Sequence, residues 1–272
     1  MTAISEIFSS ADRTRGETLL RKGHDRGLGE KSFSALVVAA GRHFIDAPYG
    51  AQTLEREGPE TLVVNLRAFD CVTFVEAVIV LAGLIHCGVI DFAAYPKALE
   101  KIRYRRGRCD GYPSRLHYFT DWLYDNGRKG LVRDITLALG GVPYPKTVHA
   151  LTDRRSACPG LAPAAAFRRM RILESLCSRR LRHFLPKGNW ATAAPLIQDG
   201  DLIAITTDEP GIDVCHVGIA VCDQDAVRLL HASSAAGRVV MTEGSLADYL
   251  AAKPSRTGVI VGRPVAPEKP GR

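Results

Sequence analysis

The chain predicts an α+β fold in which helices of the front half pack on an antiparallel sheet from the back half, and three observations carry that prediction. Between Asn65 and Ile85 the apolar residues Val75, Val78, Ile79, Ala82 and Ile85 recur at spacings of three and four, the stripe of a helix with one buried face. From Leu196 the texture changes to short β runs separated by turn residues: Asp201 to Thr207, Val214 to Cys222, Val227 to Ser233, Gly237 to Thr242 and Thr257 to Pro264. Helices first and a meander of strands afterwards is the layout of helices laid against one sheet.

Taken in order, residues 1 to 45 read as mostly helical, with Phe33, Leu36, Val37 and Ala40 on the packing side of a helix from Leu28 to Phe44. Asp46 to Leu54 breaks the pattern with proline and glycine and forms a loop that contains Tyr49. Asp70 is a natural cap for the central helix, which stops near Cys87-Gly88. A helix from Phe92 to Arg105 follows. Gly111 to Asn126 then gathers five aromatic residues, a histidine and an arginine in a short span; it reads as a groove wall or, more plainly, as the core side of a helix. Leu131 to Leu139 is a strand candidate, Pro143 to Pro163 is irregular, and Ala164 to Phe184 is a basic amphipathic helix with Phe167, Met170, Leu173, Cys177, Leu181 and Phe184 along one side. Such a stripe ordinarily faces a core rather than a membrane. Ser245 to Ala252 is a short helix before the last strand. One domain over residues 1 to 272 is expected, with an inserted helical and irregular segment at about 90 to 195, and residues 265 to 272 as a disordered tail.

With 46% hydrophobic residues the chain can bury a full core. Met1 to Lys22 carries acidic and basic residues where an export signal needs an apolar run. The formal charge of +7 favours acidic partners; the basic clusters Arg103 to Arg108 and Arg168 to Arg182 lack the aromatic interleaving of a nucleic-acid module, so no nucleic-acid partner is expected. Seven cysteines without a C-x-x-C pair suggest neither a zinc site nor a disulfide framework.

Cys71 opens the central helix. A thiol beside the first free N–H groups of a helix feels the positive end of the dipole, which favours the nucleophilic thiolate. An unpaired cysteine in an apolar region is ordinarily a small buried hydrophobe. What moves the reading is the far end of the chain, where the strands Asp213 to Cys222 and Leu229 to Ser234 each carry one histidine, His216 and His231. A nucleophile at a helix start, a base on a strand and a polar group on the next strand are what a cysteine hydrolase needs.

Seven motifs in this order resemble the N-acetylmuramoyl-L-alanine amidase-like family of NlpC-type, papain-like cysteine hydrolases that act on peptidoglycan: Pro48-Tyr-Gly50, Phe69-Asp-Cys-Val-Thr-Phe-Val-Glu76, Ile102-Arg-Tyr-Arg105, Ser114-Arg-Leu-His-Tyr-Phe-Thr-Asp-Trp122, Gly200-Asp-Leu-Ile203, Asp213-Val-Cys-His-Val-Gly-Ile219 and His231-Ala-Ser-Ser234. The resemblance implies a papain-like core with Cys71 as nucleophile, His216 as its base and His231 orienting the His216 ring. It also implies that Tyr49 and the backbone N–H of Cys71 stabilise an oxyanion, that Asp70 shapes the neighbouring subsite, and that Arg115, His117, Tyr118 and Trp122 belong to a sugar-binding wall. The implied reaction cuts the amide between the lactyl group of muramic acid and L-alanine, with no metal or other cofactor. The implied partner is a sugar-plus-peptide wall fragment, anhydro-muropeptides included. A γ-D-glutamyl-diaminopimelate endopeptidase of the same fold and an inactive muropeptide-binding module are the alternatives. The family's substrate places the protein in the periplasm or cell envelope, the lack of an export signal in the cytoplasm, and a monomer is favoured.

Overall fold

The computed structural model describes residues 6–223 and 226–269. Two front helices, α1 (Ser10–Asp25) and α2 (Phe33–Arg42), precede α3 (Cys71–His86), α4 (Ala94–Arg103) and α5 (Phe119–Arg128). Helices α6 (Ala150–Asp153), α7 (Ala164–Arg179) and α8 (Trp190–Ala193) follow, and α9 (Leu246–Ala251) lies near the end. Strands β1 (Glu6–Ile7) and β2 (Leu62–Val63) make a small parallel pair. The main sheet is antiparallel, in the order β4 (Val142–Pro143), β5 (His183–Pro186), β10 (Arg256–Pro264), β6 (Leu202–Thr207), β7 (Val214–Asp223), β8 (Ala226–Ser233), β9 (Arg238–Met241), and β3 (Val132–Asp134) also pairs with β10. A mixed helix and antiparallel-sheet architecture is what the sequence predicts.

Both faces of the sheet are covered, which is why β6 is buried throughout and its first four residues are apolar rather than alternating. Leu202, Ala204, Val217, Ile219 and Leu230 pack toward α3 in one core, whereas Ile203, Ile205, Ala220, Leu229 and Val261 pack with Trp190, Leu246 and Leu250 in a second. Alternation along the strands thus feeds two cores.

Several boundaries differ from expectation. The basic helix α7 ends at Arg179, and His183–Pro186 becomes a strand because it pairs with β10 on one side and β4 on the other. Only Val132–Asp134 of the expected strand at 131 to 139 is extended; the rest is a helical turn. Residues after Pro264, expected to fray, lie on the body: Val265 N–H donates to the Leu131 carbonyl, and the Cys87 thiol to that of Glu268. Pro270 to Arg272 fall outside the described residues.

Glu76 of α3 and Arg103 of α4 form a buried ion pair at 2.7 Å, with side chains 2% and 4% exposed. Trp122 Nε1 donates to the other Glu76 oxygen at 3.2 Å, and Arg103 Nη1 to the Val63 carbonyl. Removing one partner leaves a buried charge uncompensated, which costs far more than the pair contributes. Glu76→Ala should therefore lower unfolding stability by about 3–5 kcal/mol in chemical denaturation. By contrast, Arg228→Ala, which breaks the exposed pair with Asp223, should cost less than about 1 kcal/mol.

Candidate active site

The site starts at the N-terminus of α3. Asp70 caps the helix: one carboxylate oxygen accepts from Val72 N–H at 3.0 Å and from Thr73 N–H at 2.8 Å, while Thr73 Oγ1 accepts from Asp70 N–H. This reciprocal capping fixes the first turn and with it the Cys71 side chain. Across from it, the β7–β8 ladder stops at Ile219 and Leu230, so His216, Val217 and Gly218 carry no pairing with β8. The Val217 backbone lies in the same cleft as Cys71, and its N–H favours the charged form of the sulfur. Gly218 is needed at this point, because a Cβ there would lie 2.7 Å from Leu229 and 3.0 Å from the His231 Cβ.

His216 Nε2 and His231 Nδ1 stand 2.6 Å apart. With Nε2–H of His216 as donor, its Nδ1 is left as the basic nitrogen. Tyr249 of α9 packs against both rings, 5.5 Å from His231 and 6.2 Å from His216, and the Arg256 guanidinium lies 3.7 Å over the Tyr249 ring. Cys71 and His216 line one cleft of about 200 Å³ together with Val72, His117, Tyr118 and Leu151. They share it without a direct hydrogen bond; such bonds commonly tighten only once substrate is in place.

The electrostatics correct one expectation. Burial pushes the Cys71 thiol up to about 12, and the Asp70 charge adds to the rise. The Val217, Cys71 and Val72 N–H groups pull the other way and lose. The helix terminus therefore does not hold a resting thiolate, since desolvation outweighs the dipole. Burial likewise pushes His216 down to about 3, with His231, Arg256 and Lys253 contributing, and His231 down to about 4, with Arg256 contributing. At neutral pH the resting groups are a thiol and two neutral imidazoles.

The remaining residues singled out in the sequence divide into two sets. His117 and Tyr118 line the cleft. His117 Nε2 donates to the Tyr112 carbonyl at 2.9 Å, and burial and Arg115 hold its imidazole down at about 3. The Tyr118 hydroxyl donates to Glu174 at 2.6 Å and accepts from Leu151 N–H at 3.1 Å, tying α6 and α7 to the cleft. Tyr49 is half-buried and not among the cleft residues; its backbone bridges Phe69, two residues before Cys71, and burial pushes its phenol up, with the charges of Cys71 and Asp70 adding. Arg115 and Trp122 are not among the cleft residues. Arg115 is 5% exposed and held by Glu55, Glu60 and the Leu54 carbonyl, and Trp122 is fully buried against Phe119 and Glu76. Both stand behind the wall and brace it.

Two features had no readable signal. Ile205 pairs with His216 while Thr206 pairs with Val214, so Cys215 is the extra residue of a β-bulge and the side-chain alternation fails there. Cys215 consequently lines the cleft beside His216 rather than facing away from it. Ala150, Leu151 and Ile212 join the cleft from segments that looked irregular.

A sequence model of the N-acetylmuramoyl-L-alanine amidase-like family matches residues 39–259. A crystal structure of an N-acetylmuramoyl-L-alanine amidase from Bacteroides uniformis is 36% identical, with a TM-score of 0.81 over 86% of this chain and 99% of that one. A Bacteroides fragilis protein described provisionally as a xylanase is also 36% identical, with a TM-score of 0.78 over 83% and 99%. A Legionella pneumophila protein at 21% identity shares the fold, with a TM-score of 0.74 over 97% and 98%. No curated protein matches the chain. Its length, its sequence and its fold agree in one assignment: the chain belongs to the N-acetylmuramoyl-L-alanine amidase-like family.

Proposed function

We propose that the protein is a cysteine-dependent N-acetylmuramoyl-L-alanine amidase with a papain-like, NlpC-type catalytic core, acting on sugar-peptide fragments of peptidoglycan that include anhydro-muropeptides. The observation that carries this reading is the cleft itself, where a capped helix-start cysteine meets the first member of a hydrogen-bonded histidine pair. The Bacteroides uniformis relative, named for the same reaction, supports it.

The resting protonation states set the order of events. The lactyl amide carbonyl enters beside Cys71, and as sulfur attacks carbon its proton passes to His216 Nδ1. His231 accepts the His216 Nε2–H bond and holds the ring while the positive charge exists. The carbonyl oxygen, now anionic, is met by the Cys71 backbone N–H and the Tyr49 hydroxyl. Collapse of the intermediate breaks the C–N bond; His216 returns its proton to the L-alanine nitrogen, and the acyl group stays on sulfur as a thioester. Water, deprotonated by the now neutral His216, cleaves the thioester and restores the thiol.

Glycosidase chemistry, which the description of the Bacteroides fragilis relative would suggest, fits this cleft poorly. A retaining or inverting site needs two carboxyl groups flanking the bond, and Asp213 is the one carboxylate among the described residues of the cleft. Its oxygens are taken by the Thr120 and Val214 N–H groups. The endopeptidase alternative uses the same trio, and products distinguish it: a free stem tripeptide or tetrapeptide marks the amidase, free L-Ala-D-Glu the endopeptidase. Cell-envelope placement follows from the substrate and is part of the same proposal; among the described residues no helix is long and apolar enough to cross a membrane.

Kinetics on a defined disaccharide peptide test the roles. Cys71→Ser should lower kcat/KM by roughly 10³-fold or more with the fold intact by circular dichroism, whereas His231→Ala should leave turnover reduced by roughly 10–100-fold. Equal losses in both would contradict the assignment. A second expectation concerns pH. Protonated His216 cannot accept the thiol proton, and its value is pushed down to about 3, so wild-type kcat/KM should stay level as pH falls through about 6.5, where an ordinary imidazole titrates. An acid limb centred near that ordinary value would show that burial does not keep the base neutral.

A further inference from the structure

A cavity of about 330 Å³ opens between α5, the Arg180–His183 segment and β10, and shares no residue with the catalytic cleft. Arg128, Arg180, Arg182 and His183 line it, over an apolar floor that includes Leu123 and Ile260. Asp134 is the one carboxylate on the lining, and it accepts the Thr136 N–H.

The charge around this cavity does not balance. Arg182 is 7% exposed, yet among the described residues no carboxylate lies within ion-pair distance of it. Its Nη1 donates to Thr120 Oγ1 at 3.0 Å and its Nη2 to the Lys146 carbonyl, while the buried Nε has no partner among the described residues. Asp213, the acidic group that acts on it most strongly, is itself buried and pushed up by that burial. Arg180 shares Asp121 with Arg105, so a single carboxylate serves two guanidinium groups. Arg128 has no acidic partner among the described residues. A buried guanidinium without a counterion is expensive, and an anion in the adjacent cavity would offset that cost.

We propose that this cavity is a second ligand site, for a small anion whose carboxylate or phosphate head sits between Arg128 and Arg180, facing the buried charge of Arg182. A short aliphatic body would rest on the Leu123 and Ile260 floor. The geometry of the guanidinium groups suits such planar or tetrahedral oxyanions. Nothing in the proposal depends on which bond the catalytic cleft cuts.

Isothermal titration of the full chain at low ionic strength decides it, with inorganic phosphate, pentanoate and neutral pentanamide as separate probes. One-to-one binding of phosphate or pentanoate with a Kd on the order of 1 mM or tighter, and none of pentanamide, is the expected result. Phosphate binding without pentanoate binding identifies a phosphate site, and preference for pentanoate an organic acid. Arg182 also braces Thr120 and Lys146, so the deciding variant is R128Q/R180Q, which should weaken binding about tenfold or more while thermal unfolding stays cooperative. Absence of heat from both anions at roughly 10 mM, equal binding of pentanamide, or an unchanged Kd in the double variant would overturn the proposal.

Discussion

Burial of α3 across the middle of the sheet is the constraint on which the catalytic half of this molecule depends. Ten successive residues from Thr73 to Ala82 are buried, so the helix cannot slide or roll without exposing apolar surface at about 25 cal/mol per Å². Its first residue is therefore fixed against β7, where the strand has parted from β8. Asp70 adds local precision by closing the first turn with three hydrogen bonds around one carboxylate. The position of Cys71, the proposed nucleophile, is a property of the whole front core rather than of the cleft.

The cleft is organised to keep its reactive groups neutral until they are used. Desolvation dominates both the thiol and the imidazoles, and the cations Arg256 and Lys253 reinforce it at the histidines. In the proposed mechanism the group that orients the base is a second imidazole, His231, and it cannot lock an imidazolium in place by charge. On that proposal the ion pair forms on the reaction path, with the substrate carbonyl helping to draw the proton off sulfur. Tyr249, between the histidines and Arg256, packs against the same pair.

Much of this was legible from the sequence because it depends on period and spacing. The helix beginning at Cys71, the five β runs of the back half and the two histidines on adjacent strands all follow from apolar periodicity. What was not legible arises from long-range pairing. Phe184 continues the α7 stripe by spacing, and only pairing with β10 and β4 makes His183–Pro186 a strand. The bulge at Cys215 depends on the register of β6, which no local pattern records. The sign of the Cys71 shift was missed because a helix start is visible in a sequence and the depth of its burial is not. The family resemblance implied that Arg115 and Trp122 face the sugar, and both are instead buried, Arg115 against Glu55 and Glu60 and Trp122 against Glu76, as the plainer reading of Trp122 as a core residue predicts.

The most direct measurement of the central claim is the intact mass of the protein after rapid acid quench during turnover of a defined disaccharide peptide. The account predicts a transient species heavier by the sugar-lactyl acyl group, located on Cys71 by peptide mapping and absent in Cys71→Ala. An adduct carrying a peptide fragment in place of the sugar would contradict the bond assignment, and product release with the acyl group never found on Cys71 would contradict the mechanism.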